Sequence, residues 1–486
     1  MGKYVLSIDQ STQGTKCILF DETGRPAFKT YRTHEQIINE KGWISHDADE
    51  IYRNVNACVK EVYEHVGPEE IICVGISNQR ETSVCWDRNT GLPLAHAVVW
   101  QCRRAADICT SLQTDENEKY IEDKTGIKLS PYFPAGKIAW MLRNIPEADK
   151  LAEEGALCFG TMDSYLVYRL TGGKRYCTDY TNASRTQLFD IHELKWDEPI
   201  CKMFGIDSEL LPEVIESDGD FGDTDFEGSL PHKIPIMCVM GDSHSALFGQ
   251  GCHEKGMVKA TYGTGSSIMM NIGDAPKKSL NGLVTSIGYM VGGRLSYVLE
   301  GNINYSGAVI TWLKDDMQLI GDADETGMLA EKAVQDDSLY MVPAFSGLGA
   351  PYWNDSAKAI ISGMDRTTGR NEIVRAGLES IAYQITDVIN AMESDSGENV
   401  DLVKTDGGPT KNRYLMQFQS NMLDASVCVS ETEELSNMGV AYGAGLKAGI
   451  YAPDIFTTLG YREFVPCMEK ERRNKKLEGW RAAVKK

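Results

Sequence analysis

Positive charge and long apolar runs are both scarce in this 486-residue chain. Its 70 acidic residues outnumber the 49 basic ones, and the formal net charge is −21. Nucleic acids and anionic membranes attract basic surfaces, so we expect neither as the main partner. No apolar run reaches the roughly 18–20 residues that span a bilayer, and positions 1–6 show no secretory signal. We therefore expect no membrane insertion.

Paired cysteines and the common nucleotide-binding motifs are also missing. The 13 cysteines occur singly and form no CxxC pair, which is typical of reduced thiols in a cytoplasmic protein. No GxxxxGK[ST] motif is present, because TGGK at 171–174 has Tyr168 where the first glycine should stand. No GxGxxG follows a strand either. A P-loop and a dinucleotide-binding Rossmann domain are both disfavoured.

Length and composition predict a globular protein of two domains. Hydrophobic residues make up 42% and charged residues 24% of the chain, which is ordinary for a folded protein of this size. No linker-like stretch divides the chain, and the junction is expected near residues 249–256. We predict domains at 1–250 and 251–486 that pack as a hinged pair.

A strand–turn–strand pattern occurs twice, about half the chain apart. Residues 4–20 read as YVLSID, a polar tip and CILF, and residues 257–273 repeat the pattern as MVKATYGTGSSIMMNIG. Both segments have an apolar strand, a tip rich in Thr, Gly and Ser, and a second apolar strand. The recurrence predicts two halves of similar topology.

The rest of the chain alternates between strand and helix patterns. Buried strands are predicted at 71–77 and 402–408, and an amphipathic helix at 372–392. The small residues of 439–448 indicate a helix that packs closely on its neighbour. The basic run at 470–486 is predicted to form a solvated terminal helix. The fold class is therefore α/β.

The polar tips of the two hairpins are candidate phosphate-binding loops. In DQSTQGTK (9–16), glycine and small hydroxyl residues let backbone N–H groups approach a phosphate, and Asp9 could hold a metal-bound water. One such tip is equally typical of a plain turn, but its repetition as YGTGSS (262–267) favours two loops that grip a triphosphate. The Gly-Gly edge of DGGPTKN (406–412) could admit adenine or a phosphate, or could simply form a turn.

A second group of residues could bind and activate an alcohol. Arg80 and Glu81 follow the strand at 71–77, where α/β sheets place their ligand crevice, and together could bind adjacent hydroxyls. A structural ion pair is an equal alternative. Trp100 and Tyr132 could stack on a carbon backbone, although aromatic residues more often lie in a core. Asp242 follows the apolar strand PIMCVM and could accept a proton from an attacking hydroxyl.

Taken together, these segments resemble the FGGY carbohydrate kinases, and the glycerol kinases among them, over nearly the whole chain. The resemblance is carried by NQRET (78–82), VVWQCRR (98–104), TDYTNASRT (178–186), GLGAPYW (347–353), ESIAYQ (379–384) and LMQFQSN (415–421). It implies two actin-like (ribonuclease H-like) domains of duplicated topology around a nucleotide cleft. It also implies ATP and Mg²⁺ as cofactors, a small polyol or sugar as substrate, and a homodimer.

Matching positions carry the family's site residues onto this chain. The resemblance assigns Asp242 as the general base and places it, with Asp9, beside Mg²⁺. The acceptor pocket, mostly in the first domain, is expected to contain Arg80, Glu81, Trp100, Tyr132, Asp242, Ser243 and Ser267. The nucleotide site, mostly in the second domain, is expected to contain Thr12, Gln13, Lys16, Thr264, Gly307, Thr311, Gly408 and Asn412.

The chain departs from the glycerol kinase pattern at five of these positions. Ser243 replaces a glutamine that contacts the acceptor, and Ser267 replaces an aromatic that closes the pocket. Gln13, Lys16 and Thr311 replace a threonine, an arginine and a glutamine near the nucleotide. The two serines free volume and add hydroxyls, which favours an acceptor of four or five carbons over glycerol.

Two alternatives stay open from the sequence. One is a kinase of the same family that acts on a pentulose or another ketose. The other is a non-kinase actin-like ATPase, which shares twin phosphate loops but has no need of the four side chains Arg80, Glu81, Trp100 and Tyr132.

Overall fold

The computed structural model describes residues 2–66, 70–334, 337–354 and 356–486. Each half of the chain builds one large mixed sheet with helices on its faces, so the predicted two-domain α/β architecture with duplicated topology is confirmed.

The strands of the first half begin and end as follows: β1 (Tyr4–Gln10), β2 (Gly14–Phe20), β3 (Pro26–Thr33), β4 (Ile37–Ile38), β5 (Ile44–His46), β6 (Ile71–Asn78), β7 (Ser83–Asp87), β8 (Ala97–Val98), β9 (Leu157–Thr161), β10 (Cys177–Asp179), β11 (Phe189–Asp190), β12 (Lys195–Trp196), β13 (Glu213–Ile215), β14 (Asp223–Thr224) and β15 (Ile234–Gly241). Those of the second half are β16 (Val258–Tyr262), β17 (Ser266–Gly273), β18 (Val284–Val291), β19 (Arg294–Ile303), β20 (Tyr340–Val342), β21 (Ile360–Ser362), β22 (Leu402–Asp406), β23 (Ser426–Ser430) and β24 (Tyr461–Phe464).

The helices of the first half are α1 (Ala48–His65), α2 (Ala106–Leu112), α3 (Asp115–Thr125), α4 (Pro134–Asn144), α5 (Ala148–Glu153), α6 (Met162–Leu170), α7 (Tyr180–Ala183), α8 (Glu198–Phe204) and α9 (Asp242–Gly249). Those of the second half are α10 (Gly307–Asp315), α11 (Glu325–Lys332), α12 (Arg370–Ser396), α13 (Arg413–Leu423), α14 (Leu435–Lys447) and α15 (Lys470–Val484). In the parts of the chain that the structure describes, no helix is both long and apolar enough to cross a bilayer.

The first large sheet has the strand order β14-β15-β6-β1-β2-β3. β1 and β2 form the predicted hairpin, and β6 lies parallel to β1 on its other side. Both faces of β1 are covered, since Leu6 and Ile8 pack in one apolar cluster and Val5 in another. Burial on both faces explains why this strand is almost continuously apolar.

The second large sheet repeats this plan with the order β18-β19-β17-β16-β22-β23-β24. β16 and β17 form the second predicted hairpin, and β22 lies parallel to β16. A five-stranded sheet, β4-β5-β8-β7-β9, extends the first half. The predicted helix at 372–392 lies within α12, where Val374, Leu378 and Ile381 are fully buried.

α14 belongs to the second half of the chain but packs on the first sheet, against β1, β6, β15 and α9. Its small residues permit a close approach, as predicted: a Cβ atom on Gly439 would lie 1.9 Å from the carbonyl oxygen of Ser245. The two halves are therefore joined by packed helices as well as by the chain itself.

The basic C-terminal run does form a helix, α15, but it is less solvated than predicted. Trp480 is fully buried and stacks on Tyr383, with ring centroids 5.2 Å apart. Lys476 is buried too, and it pairs with Asp337 at 2.8 Å and Glu379 at 3.4 Å. This cation binds two carboxylates of the same half, so one face of the helix packs against the rest of that half.

Candidate active site

The tip of the first hairpin and the strands beside it carry four of the predicted site residues. Asp9 is near the end of β1, and Ser77 on the parallel strand β6 donates a hydrogen bond to its carboxylate at 2.8 Å. Thr12 and Gln13 form the tip between the strands. Lys16 follows on β2, where its ammonium group pairs with Glu434 at 2.6 Å. The tip therefore carries the expected small polar residues, and Lys16 is held by the second half.

The second hairpin tip is fastened to the start of α10. The carbonyl oxygen of Thr264 accepts hydrogen bonds from the N–H groups of Ser306 (2.9 Å) and Ala308 (3.0 Å). The N–H of Gly307 donates to the carbonyl of Gly263, also at 2.9 Å. Thr264 and Gly307, predicted from distant segments, therefore lie together.

The Gly-Gly turn meets the same tip. Gly407 has φ +100°, and a Cβ atom there would lie 2.0 Å from the carbonyl oxygen of Tyr262. Only glycine fits at such a position. The next residue, Gly408, is exposed and has open space where its side chain would be. This edge is thus accessible beside the second tip.

The last two predicted nucleotide residues lie farther along α10 and after the turn. Thr311 is exposed on α10, one turn from Gly307. Asn412 caps α13 by accepting from the N–H of Leu415, and its amide donates to Thr326 Oγ1 at 2.9 Å. Asn412 therefore has a structural role in addition to any contact with a ligand.

Arg80 and Glu81 lie just past the end of β6, as expected. Both are buried, and Glu81 adopts φ +60°. A non-glycine residue in the left-handed region stores strain that the surroundings must offset, which is common in binding sites. A tertiary contact holds the backbone at this residue, because Lys137 Nζ donates to the Glu81 carbonyl at 3.1 Å.

Asp242 is the first residue of α9, directly after β15. Its carboxylate lies 3.3 Å from Arg80 Nε and accepts from the N–H of Ser243 at 2.6 Å. The side chain is 36% exposed but deep between the halves. Burial raises the pKa of Asp242, and the guanidinium of Arg80 opposes that rise. A carboxylate in this position can accept a proton from a hydroxyl that lies against it.

A buried chain of alternating charges extends from Asp242 across both halves. Arg80 donates two hydrogen bonds to Glu300 on β19, at 2.8 and 3.1 Å. Arg185 pairs with Glu300 at 2.8 Å and with Glu81 at 2.6 Å. Despite its full burial, the pKa of Glu300 is held well below its usual range by the two guanidinium groups. This chain fixes both predicted acceptor-binding residues in place.

The two predicted aromatic residues face each other in the same region. The rings of Trp100 and Tyr132 are 5.6 Å apart in an edge-to-face arrangement. The indole N–H of Trp100 donates to Thr12 Oγ1 at 2.9 Å. A residue predicted for the acceptor pocket and one predicted for the first phosphate loop are therefore linked directly.

Ser243 and Ser267, the two predicted departures from the family pattern in the acceptor pocket, each contact a member of the charge chain. Ser243 is partly exposed at the start of α9, and Ser267 on β17 donates to Glu300 Oε1 at 3.3 Å. His244 lies behind them, fully buried, with Nε2 3.4 Å from Ser286 Oγ. Burial lowers the pKa of His244 well below its usual value, so its ring is neutral.

Sequence reasoning did not identify Arg185, Glu300 and Asn302 as site residues. Arg185 lies in a segment that carried the family resemblance, but it received no role. Glu300 was detectable as a single acid in the apolar strand β19, since buried acids are rare unless paired. Asn302, two residues further, donates to Glu300 Oε1 at 3.3 Å.

The two carboxylates of Asp9 and Asp242 are suited to hold a magnesium ion. Burial raises the pKa of Asp9 to about 7, and the negative charge of Asp242 adds to the rise. No cluster of three or more His, Cys, Asp or Glu side chains suited to a metal occurs among the described residues. Mg²⁺ often uses only one or two carboxylates and completes its shell with water and substrate phosphates.

Comparisons with known proteins agree with this geometry. The model of the FGGY family of carbohydrate kinases, N-terminal domain, matches residues 4–249, and the C-terminal domain model matches residues 258–448. Glycerol kinase 1 of Thermotoga maritima is 46% identical over 99% of this chain and 99% of its own. Glycerol kinase of Fusobacterium nucleatum is 44% identical over 100% and 99%.

A solved structure extends the similarity to three dimensions. The crystal structure of Plasmodium falciparum glycerol kinase with ADP superposes with a TM-score of 0.94, at 36% identity, and covers 100% of this chain and 98% of that one. The chain belongs to the FGGY family of carbohydrate kinases, and it is an ATP-dependent phosphotransferase with an alcohol group as acceptor.

Proposed function

We propose that this protein transfers the γ-phosphoryl group of ATP to a terminal hydroxyl of a small polyol, as glycerol kinases do. We further propose that its acceptor space admits four or five carbons. The observation that carries the proposal is the position of Asp242, partly exposed between the two halves and 3.3 Å from the buried Arg80. The relatives that match over the full chain are glycerol kinases, which supports a polyol acceptor.

In this mechanism the acceptor lies against Arg80 and Glu81, with Trp100 and Tyr132 on its carbon face. The terminal hydroxyl points at the Asp242 carboxylate, which takes its proton as the oxygen attacks phosphorus. ATP leaves as ADP, and the new bond is a phosphate ester. Glu300 holds the two terminal nitrogens of Arg80, so that only Nε lies near Asp242, whose side chain stays partly exposed and available as a base.

The phosphates are proposed to lie between the two hairpin tips. Backbone N–H groups at both tips can stabilise the charge on the transferring group because they need no reorganisation during the reaction. Thr12, Gln13 and Lys16 would act from one side and Thr264 from the other. Gly307, Thr311, Gly408 and Asn412 would surround the rest of the nucleotide.

Asp9 and Asp242 would hold Mg²⁺, which when bound neutralises charge on the β- and γ-phosphates. Closure of the two halves would exclude water, a competing acceptor. We place the domain boundary near residues 250–251, and by family analogy we propose a cytoplasmic homodimer. All 13 cysteines are free and eleven of them are buried, which fits a reducing compartment.

The test is a coupled assay of ADP release with glycerol, erythritol, xylitol, erythrulose, xylulose and ribulose. We expect the highest kcat/KM on a four- or five-carbon acceptor. The highest value on glycerol would refute the enlarged pocket, and no turnover with any polyol would refute the polyol kinase. Preference for a ketose would identify the alternative within the family.

The assignment of Asp242 is tested by Asp242→Asn, which keeps the size of the side chain but cannot accept a proton. We expect kcat to fall by about 10²–10⁴-fold while ATP still binds. The matched control is Asp223→Asn, an exposed position on β14 at the edge of the same sheet. Near-normal turnover of Asp242→Asn would exclude its role as the base.

A further inference from the structure

The acceptor side of the second sheet carries a pair of polar side chains in direct register. Ser267 on β17 lies opposite Asn302 on β19. Directly opposed residues on antiparallel strands present their side chains on the same face, with Cβ atoms about 4.5–5.5 Å apart. Glu300, two residues before Asn302, faces the same way. These three residues form one polar surface, which meets Arg80 of the first half.

The alternation along the strands separates this surface from the core. Ser266, next to Ser267, points to the opposite face and is buried. A Cβ atom on Gly301, next to Asn302, would lie 2.5 Å from a methyl group of Val388 in α12. Ser267 and Asn302 are partly exposed by contrast, so they border open space between the halves rather than packed core.

Both side chains retain hydrogen-bonding capacity after their contacts with Glu300. Ser267 Oγ donates to Glu300 Oε1 at 3.3 Å, and its lone pairs remain available. Asn302 Nδ2 donates to the same oxygen at 3.3 Å, which leaves its second N–H and Oδ1 without a partner among the described residues. The pair thus offers acceptors and one donor, which is the pattern that suits hydroxyl groups.

The position of the pair relative to Asp242 defines what it could contact. The guanidinium of Arg80 spans the gap, with Nε 3.3 Å from Asp242 and its terminal nitrogens 2.8 and 3.1 Å from Glu300. Ser267 and Asn302 lie on the far side of that group. A hydroxyl that reacts at Asp242 therefore belongs to the near end of an acceptor, and the pair faces the far end.

We infer that Ser267 and Asn302 form a subsite for the distal hydroxyls of a linear polyol of four or five carbons. The inference rests on the proposed function, because it assumes that the acceptor reacts at Asp242. It adds Asn302 as a specificity-determining residue and gives a reason for preference by length. In the proposed binding mode the three hydroxyls of glycerol lie at Asp242, Arg80 and Glu81, so a fourth or fifth carbon is needed to place a hydroxyl at the pair.

The test compares Ser267→Ala and Asn302→Ala with the wild type on glycerol, erythritol and xylitol. Loss of one hydrogen bond to the acceptor should lower kcat/KM on erythritol and xylitol by about 3- to 10-fold. The loss on glycerol should be smaller, because glycerol does not contact the pair in the proposed binding mode, so the ratio of kcat/KM on xylitol to kcat/KM on glycerol reports the subsite. Ser266→Ala is the matched control, since it removes the neighbouring hydroxyl on the opposite face.

A second variant tests the same subsite by filling it. Ser267→Phe should lower kcat/KM on erythritol and xylitol by more than about 10-fold and should lower it less on glycerol. Equal losses on all three acceptors, no loss on the longer ones, or the same pattern from Ser266→Ala would overturn the inference. Wild-type enzyme that phosphorylates no polyol at all would instead refute the proposed function, so the two failures are distinct.

Discussion

The two hairpins carry the same hydrogen bond with its partners exchanged. In the first, the carboxylate of Asp9 is on the hairpin and the hydroxyl of Ser77 is on the parallel strand, 2.8 Å away. In the second, the hydroxyl of Thr261 is on the hairpin and the carboxylate of Asp406 is on the parallel strand, also at 2.8 Å. Both pairs are in direct register. The duplication keeps the contact but moves the negative charge.

The strands that flank the two hairpins differ more. A Cβ atom on Gly14 would lie 2.5 Å from the carbonyl oxygen of Arg32 on β3, and one on Gly265 would lie 2.4 Å from that of Ile303 on β19. β3 and β19 are thus equivalent supports for the tips. β3 is largely exposed, whereas β19 is largely buried and carries Glu300.

Contacts of β18 with the first half explain this difference. The N–H of Thr285 donates to the carbonyl of Gly126 at 2.9 Å, and the N–H of Ile287 donates to Ser184 Oγ at 3.1 Å. These contacts dock the β18–β19 hairpin against the acceptor-binding half. The hairpin with a polar tip therefore occurs twice, while the proposed acceptor site is formed once, where β19 meets Arg80.

The largest effect is expected when the carboxylate of Glu300, which has no counterpart on β3, is removed. Glu300→Gln leaves Arg80 and Arg185 without their shared carboxylate, and breaking a buried pair in this way costs about 3–5 kcal/mol. We expect kcat/KM for the acceptor to fall by at least about 100-fold, measured by steady-state kinetics. Glu61→Gln is the control, because Glu61 accepts from Thr30 and Arg32 of β3 but is exposed. Similar losses from both variants would contradict the comparison.

A smaller effect is expected at the tips themselves. Gly14→Ala and Gly265→Ala each force a methyl group against a backbone oxygen, and overpacking of this kind costs about 1–3 kcal/mol. Both variants should raise KM for ATP, by about 10-fold, with little change in KM for the acceptor. An effect confined to one of the two would show that the tips do not contribute equally to the phosphates.

The exchanged carboxylates predict a pH effect on stability. The pKa of Asp9 is about 7 in the folded protein against 3.8 for an ordinary aspartate. Between these two pH values Asp9 binds a proton in the folded state but not in the unfolded state. The contribution of Asp9 to the free energy of unfolding is complete below about pH 4 and is lost as the pH rises to about 7. Asp9→Asn should remove this part of the pH dependence in urea unfolding without ligands.

The equivalent variant in the second half is Asp406→Asn. Burial also raises the pKa of Asp406, and the ammonium of Lys259 opposes that rise. Asp406→Asn should change the pH dependence of the free energy of unfolding in the same direction as Asp9→Asn. An Asp9→Asn curve that parallels the wild type between pH 4 and 7 would be inconsistent with a raised pKa at Asp9.

The smallest effect is expected at Lys16, whose position in the second hairpin is taken by Ser267. Lys16→Met removes a half-exposed pair with Glu434 and should lower the free energy of unfolding by less than about 1 kcal/mol. It should also raise KM for ATP, since the cation is proposed to reach the phosphates. Lys29→Met is the control, because Lys29 pairs with the same Glu434 at 3.4 Å but is more exposed. Equal ATP kinetics in both variants would exclude a phosphate contact from Lys16.

Much of the fold could be predicted because its signals are local. Each hairpin is encoded within about twenty residues as an apolar strand, a polar tip and a second apolar strand. α12 and β22 were also identified from periodicity and apolar runs. α15 was predicted correctly as a helix but not as a packed one, because the burial of Trp480 depends on Tyr383, 97 positions away in a different helix.

The candidate site was predictable where a motif follows a strand. Arg80, Glu81 and Asp242 stand just past β6 and β15, and parallel neighbouring strands bring their carboxyl ends together. Glu300 and Asn302 lie inside a strand and give no such signal. The role of Glu300 depends on its contact with Arg80, 220 positions away, and that of Asn302 on its pairing with Ser267 on the neighbouring strand.

By itself the sequence determined the two hairpins with polar tips, the α/β class and the residues that follow the strands of the first half. These depend on interactions within a strand, a turn or a helix, which neighbouring residues specify. Only the tertiary structure decided that β19 is buried against the first half, that Glu300 holds Arg80 and Arg185, and that Ser267 faces Asn302. The first two features arise where the two halves meet, and the third arises where two strands of one sheet pair, so each depends on residues that are distant in the sequence.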